Sequence, residues 1–277
     1  MDFAELYRSV FAILRIEGQN ARVVGTGFVI NTNPIYILTC NHVVSEVSEN
    51  NNGNIVYSIT KRSDNVEEFD LRQIQISFLR ATQIVTAPQF DLAILKIDPN
   101  DNAEVARLLS IDNAPALQLS FDQNDRTLGG EVEWLSTAAT ADLTLTPRFF
   151  KGNIVTQYIV DHQYNYLDNN GQQINQVILA AKMIEVDKLF IPGSSGSPIL
   201  DTASNKVIAF VHGFKSWPIG TNTEVQHPFQ LVENNTSREM ILKYNLPFVT
   251  SLSLGIDVRT IETFLRENNF LPIEDEE

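Results

Sequence analysis

The sequence predicts an all-β fold of two strand groups, closed into antiparallel barrels or stacked as a sandwich, with one helix near the C-terminus. Three observations predict it. Short runs rich in Val, Ile, Phe and Tyr recur along the chain, bounded by Asn, Gly, Asp and Pro. They fall into two groups of roughly six at short spacing. Only one stretch, residues 258–268, carries a convincing helical period.

The first group comprises residues 9–16, 22–30, 35–40, 55–60, 74–78 and 92–97. A polar segment, 98–113, follows, and its 103–110 part reads as a short helix or a linker. The second group comprises residues 116–119, 131–135, 149–157, 176–185, 199–201, 206–212 and 248–255. Asp168-Asn169-Asn170-Gly171 marks a hairpin tip, because Asn-Gly supplies the positive φ angles of a type I′ turn. Residues 214–247 are long for a connection and contain a candidate short helix at 237–244. The final helix opens at Asp257, a cap, places Val258, Ile261, Phe264 and Leu265 on one face, and stops at Asn268, Asn269 and Pro272.

Composition narrows the function. A hydrophobic share of 43% suits a folded soluble protein. The formal charge of −14 argues against binding a phosphate backbone, which needs clustered Lys and Arg, so no nucleic-acid partner is expected. The longest charge-free stretch, residues 23–45, is interrupted by Asn31, Asn33, Pro34 and Asn41, so no membrane span is expected. One cysteine, Cys40, cannot form an internal disulfide, and the acidic start lacks the pattern of a signal peptide. Both features lean toward a reducing compartment, the bacterial cytoplasm.

Three motifs carry chemistry. Pro192-Gly193-Ser194-Ser195-Gly196-Ser197-Pro198 lies between apolar strands. A nucleophilic serine on a tight loop needs small neighbours, and glycine lets backbone N–H groups turn toward a developing oxyanion. Gly-x-Ser-Gly-x-Pro arises by chance in about 0.5% of chains this long, so a bare glycine-serine turn is the poorer account. Ile37-Leu38-Thr39-Cys40-Asn41-His42-Val43-Val44 ends an apolar run on a histidine, and Phe90-Asp91-Leu92-Ala93-Ile94-Leu95 opens one on an aspartate. Alone, His42 reads as a core histidine and Asp91 as a turn residue. Together, in the order His, Asp, Ser, they match the chymotrypsin arrangement rather than the subtilisin or α/β-hydrolase orders.

With Gly25-Thr26-Gly27-Phe28-Val29-Ile30, these segments resemble the trypsin-like serine peptidases, closest to the bacterial HtrA/Deg branch. The resemblance spans most of residues 8–268. It implies two antiparallel six-stranded β-barrels: residues 1–110 carrying His42 and Asp91, and 111–277 carrying Ser195 and the helix 258–268. It implies a catalytic triad of His42, Asp91 and Ser195, with an oxyanion hole of the Gly193 and Ser195 backbone N–H groups. The expected activity is a serine endopeptidase acting on a protein or peptide. The alternative is a binding or scaffold protein of the same fold, silent until a protein partner activates it. No cofactor and no metal are expected, since His42, His162, His212 and His227 show no zinc-ligand spacing.

Two departures from the family matter. Ser194 stands where digestive members carry the aspartate that pairs with a new N-terminus, so activation by that cleavage is not expected. No segment resembles the PDZ domain that follows the protease in typical HtrA proteins. For the substrate pocket, the resemblance points to Leu189, His212 and Gly213. Leu189 stands where members that cut after Arg or Lys carry an acid, so an apolar or small P1 side chain is expected, with Asp187 the nearest acid in sequence. Glutamyl endopeptidases use a strand histidine for acidic P1, but the strand alignment places Val211 rather than His212 at that site.

Overall fold

The computed structural model describes residues 3–17, 20–32, 34–48, 56–61, 75–80, 83–97, 115–136, 148–167, 173–188, 193–218, 223–233, 236–246 and 249–271. The fold is mostly β. After a short helix, α1 (Phe3–Ser9), the first half forms an antiparallel sheet of five strands. Their spatial order is β1 (Val10–Glu17), β2 (Asn20–Thr32), β3 (Ile35–Cys40), β7 (Leu92–Ile97) and β6 (Gln83–Ala87). Strands β4 (Val56–Lys61) and β5 (Gln75–Arg80) pair as a separate ribbon. A second helix, α2 (Asn41–Ser48), leaves directly from the end of β3.

The second half closes on itself. Six strands, β8 (Glu131–Ser136), β9 (Arg148–Leu167), β10 (Gln173–Val186), β11 (Pro198–Asp201), β12 (Val207–Pro218) and β15 (Val249–Asp257), form a barrel in the order β10-β15-β12-β11-β8-β9. Between β12 and β15 the chain makes a hairpin of β13 (Thr223–Glu233) and β14 (Thr236–Leu246). Among the described residues, no helix is long and apolar enough to cross a membrane.

The expected strands are there, with corrections. Of two expected barrels, one is closed among the described residues, and the other half is an open sheet plus a ribbon. The candidate helix at 237–244 is strand β14. Its Met240, Leu242, Tyr244 and Leu246 recur every second residue, the period of a strand, and β13 supplies the partner that decides it. Residues 116–119 make only an isolated bridge, Leu119 to Val207. Strand β6 and helix α1 had no strong sequence signal. The expected helix at 258–268 is a 3₁₀ turn, Val258–Thr260, followed by α-helix over Glu262–Glu267, and Asp257 caps it by accepting the Arg259 N–H at 2.8 Å. The domain boundary at 110/111, the 103–110 segment and the hairpin tip at 168–171 lie outside the described residues.

One hydrophobic core runs through both halves. Phe28, Leu38 and Ile94 of the sheet join Phe210 and Ile256 of the barrel and Leu265 of the final helix. A second cluster fills the barrel, where Trp134 stacks on Phe150 with ring centroids 5.4 Å apart. The 115–130 segment stitches the halves. The Leu117 N–H donates to the Val29 carbonyl of β2, and the Val207 N–H of β12 donates to the Gln118 carbonyl, both at 2.8 Å.

Arg126 locks this segment. It is buried, and its Nε donates to Asp257 Oδ2 at 2.9 Å. Its two terminal nitrogens donate to the carbonyls of Asp122, Ser120 and Ile208. Arg126→Met should lower unfolding stability by about 3 kcal/mol, measured by denaturant titration. That is the low end for breaking a buried pair, because Arg259 remains on Asp257.

Candidate active site

Strand register brings His42 and Asp91 together. Cys40, the last residue of β3, pairs with Leu92, the first of β7. The residues just beyond those two ends must therefore be neighbours. The Asn41 N–H donates to the Asp91 carbonyl at 2.9 Å, and the His42 N–H donates to Asp91 Oδ1 at 3.0 Å. His42 Nδ1 lies 2.8 Å from Asp91 Oδ2. Asp91 reaches this position from a 3₁₀ turn, Pro88–Phe90, with φ of 47°. Aspartate tolerates that left-handed conformation better than most residues.

A second imidazole meets the same carboxylate. His212 Nδ1 lies 2.6 Å from Asp91 Oδ2. Burial pushes the Asp91 carboxyl upward, but His42 and His212 together outweigh it and hold the group well below the usual carboxylate range. Asp91 is therefore ionised at neutral pH. The Cys40 thiol beneath it is fully buried and donates to the Val211 carbonyl at 3.1 Å. Burial, then the nearby Asp91 charge, push that thiol well above its usual range. Ligand atoms of Cys40, His42, Asp91 and His212 lie within 4.8 Å of one another, and these donor types suit zinc. Two ligands of one tetrahedral zinc sit about 3.3 Å apart. The 2.6 and 2.8 Å contacts on Asp91 Oδ2 are shorter, and their geometry is that of hydrogen bonds.

Ser195 comes from the other half, on the turn before β11, and β2 clamps that turn. The Thr26 N–H donates to the Ser195 carbonyl and Thr26 Oγ1 donates to the Gly193 carbonyl, each at 2.8 Å. Thr39 Oγ1 in turn holds the Thr26 carbonyl at 2.7 Å. From the barrel side, the Gly196 N–H donates to the Val211 carbonyl at 2.7 Å. Gly193 and Gly196 have φ of +89° and +86°, a region that side chains with a Cβ rarely adopt. The half-buried Ser195 hydroxyl donates to the His212 carbonyl at 3.5 Å, the outer edge of a hydrogen bond.

Ser194 is buried, and its hydroxyl lies 2.9 Å from that of Ser136 at the end of β8. Two neutral hydroxyls thus pair behind the residue that precedes Ser195.

Of the expected pocket residues, Leu189 lies outside the described residues. His212 turns its ring to Asp91, and a Cβ on Gly213 would meet no described atom within 4 Å. The Asp187 carboxylate faces β9, accepting the Asn153 N–H at 2.8 Å and Asn153 Nδ2 at 3.1 Å. The sequence motifs contained Thr26, but nothing in them revealed its clamp. The His212 contact was likewise hidden. It depends on a register shift in the β12–β15 pairing, which falls between Val211 and Gly213.

Comparison with known proteins places the chain in a family by its sequence and finds solved structures of similar fold. The sequence model of the trypsin-like peptidase domain matches residues 25–210. Similar solved structures include the MamO protease domain from Magnetospirillum magneticum in its apo form. It has 14% identity and a TM-score of 0.50, over 94% of this chain and 97% of that one. The inactive form of the Rv3671c protease has 14% identity and a TM-score of 0.50, over 95% of this chain and 90% of that one. Deg5 has 18% identity and a TM-score of 0.49, over 76% of this chain and 82% of that one. No curated protein matches the chain in sequence.

Proposed function

This chain belongs to the trypsin-like peptidase domain family, and from that premise we propose that it is a serine endopeptidase acting through an acyl-enzyme on Ser195. The observation that carries the reading is the pair of bonds from His42 to Asp91. Backbone N–H and Nδ1 address the two oxygens of one buried carboxylate, at 3.0 and 2.8 Å. That arrangement fixes the imidazole and its tautomer, leaving Nε2 as the base.

In this reading the Ser195 side chain turns from the His212 carbonyl to His42 Nε2, which takes its proton as Oγ attacks the peptide carbonyl. Asp91 stabilises the imidazolium that forms, and His42 then returns the proton to the leaving amine. The Gly193 and Ser195 N–H groups face the oxyanion, and a positioned water hydrolyses the ester. The clamp on Thr26 supports a loop assembled without a new N-terminus, and the Ser136–Ser194 pair supports the same conclusion.

The substrate is a protein or peptide whose P1 side chain is apolar or small and enters beside Gly213. The His212 ring, turned to Asp91, offers no basis for an acidic P1. Ribbon β4–β5 completes the first barrel, so that residues 1–110 and 111–277 each supply one wall of the cleft. A buried, unpaired Cys40 fits a reducing, cytoplasmic setting.

A fluorophosphonate probe tests the assignment. Wild type should label covalently, whereas Ser195→Ala and His42→Ala should lose labelling at least a thousandfold while keeping the wild-type circular dichroism spectrum. Labelling that survives Ser195→Ala would refute the nucleophile. A wild type inert both alone and with candidate protein partners would favour the scaffold reading.

A further inference from the structure

Asp91 serves two imidazoles through one oxygen, although a triad needs it to serve only one. We infer that His212 is a positioning residue that anchors Asp91 through the oxygen it shares with His42 and sets the pH range over which His42 works as a base. The inference rests on the endopeptidase reading above.

A register shift makes the contact. In the β12–β15 pairing, Val211 partners Gly255 and Gly213 partners Leu254, leaving His212 as the extra residue. A bulge re-aims its side chain and strengthens the local twist. The neighbouring backbone is held by the Ser195 loop, through the Gly196 N–H on the Val211 carbonyl at 2.7 Å and the Val211 N–H on the Ser197 carbonyl at 2.8 Å. The ring of His212 is thus delivered from the nucleophile's half to the carboxylate of the other half.

Protons can be assigned by elimination. An ionised carboxylate only accepts hydrogen bonds. Asp91 Oδ1 takes the His42 backbone N–H, so Oδ2 takes an Nδ1–H from each ring. Both neutral imidazoles then keep Nε2 as an acceptor. The two rings cross at 81° with centroids 5.8 Å apart. Two imidazolium charges at that distance, against one carboxylate, oppose each other. His42 is 26% exposed, whereas His212 is only 9% exposed.

Among the described residues, the titratable groups facing Asp91 are Cys40 from β3, His42 from α2 and His212 from β12. Burial keeps the Cys40 thiol protonated, so it adds no charge. His212 Nδ1–H therefore draws on the same oxygen that stabilises the His42 imidazolium. Protonation of His42, which ends activity on the acid side, is held to lower pH than it would be if His42 had Asp91 to itself.

His212→Phe removes the donor and keeps a planar ring. It should move the acid limb of kcat/KM to higher pH and lower kcat several-fold, with KM nearly unchanged. His212→Asn puts an N–H donor near the place of Nδ1–H and should bring the limb back toward wild type. An unmoved acid limb in His212→Phe, or an Asn variant no different from Phe, overturns the inference.

A second measurement does not need activity. Proton NMR of His42→Ala should retain one exchange-protected, far-downfield Nδ1–H resonance, which disappears when His212→Phe is added. If no such resonance is present in His42→Ala, the shared carboxylate is refuted, whatever the probe shows. A wild type that retains the resonance but never labels refutes the endopeptidase reading instead.

Discussion

Asp91→Asn should lower kcat about ten-thousandfold, equivalent to about 5.5 kcal/mol of transition-state stabilisation, while the fold persists. The asparagine amide carries one oxygen and one NH2 where the carboxylate carries two acceptors. Asp91 now receives the His42 N–H, the His42 Nδ1–H and a contact from His212. If the amide oxygen takes the backbone N–H, its NH2 faces the ring nitrogens. His42 then adopts the tautomer with the proton on Nε2, which cannot accept from Ser195. Steady-state kinetics on a peptide substrate measures the loss, and a drop of less than a hundredfold would contradict the role assigned to Asp91.

The same variant has a pH signature in stability. The folded state holds the Asp91 carboxyl below its usual range. A depressed acid contributes stability that is complete above its unfolded pKa of about 3.9 and is lost as pH falls further. The stability gap between wild type and Asp91→Asn should therefore shrink as pH falls below about 4, measured by urea titration at each pH.

Gly196→Ala should lower kcat/KM by about a hundredfold to a thousandfold and destabilise the fold by about 2–3 kcal/mol. Gly196 has φ of +86°, and a Cβ there would lie 2.1 Å from the Thr26 carbonyl oxygen and 2.5 Å from Thr39 Oγ1. Neither neighbour can yield cheaply, because Thr26 is β2 backbone and Thr39 is hydrogen-bonded to it. The loop must lift, pulling Ser195 and the Gly193 N–H out of place. Gly129→Ala is the control: its φ is +79°, but its Cβ would meet no described atom within 4 Å. It should cost only about 1 kcal/mol of strain and leave kinetics unchanged. Similar kinetics for the two variants would mean that the contact with β2 is not what holds the loop.

Much of the local structure around the candidate site was legible in the chain. His42 and Asp91 each adjoin an apolar run that is a strand, and Ser195 stands among the glycines its turn requires. Local chemistry imposed those choices, so local reading recovered them. Strand β14 shows the limit. Its alternation is real, but a lone alternating run competes with a helical reading until a partner such as β13 pairs with it.

By itself the sequence determined the strand periods, the three motifs and their order, because side-chain size, β-branching and turn chemistry act within a few residues. Only the tertiary structure decided that Thr26 grips the serine loop, that Ser194 pairs with Ser136, and that His212 shares Asp91 with His42. The reason lies in the strands. Their side chains alternate with a period of two, so one extra residue turns every later side chain of the strand to the opposite face. The shift beside His212 appears only once β12 has found β15.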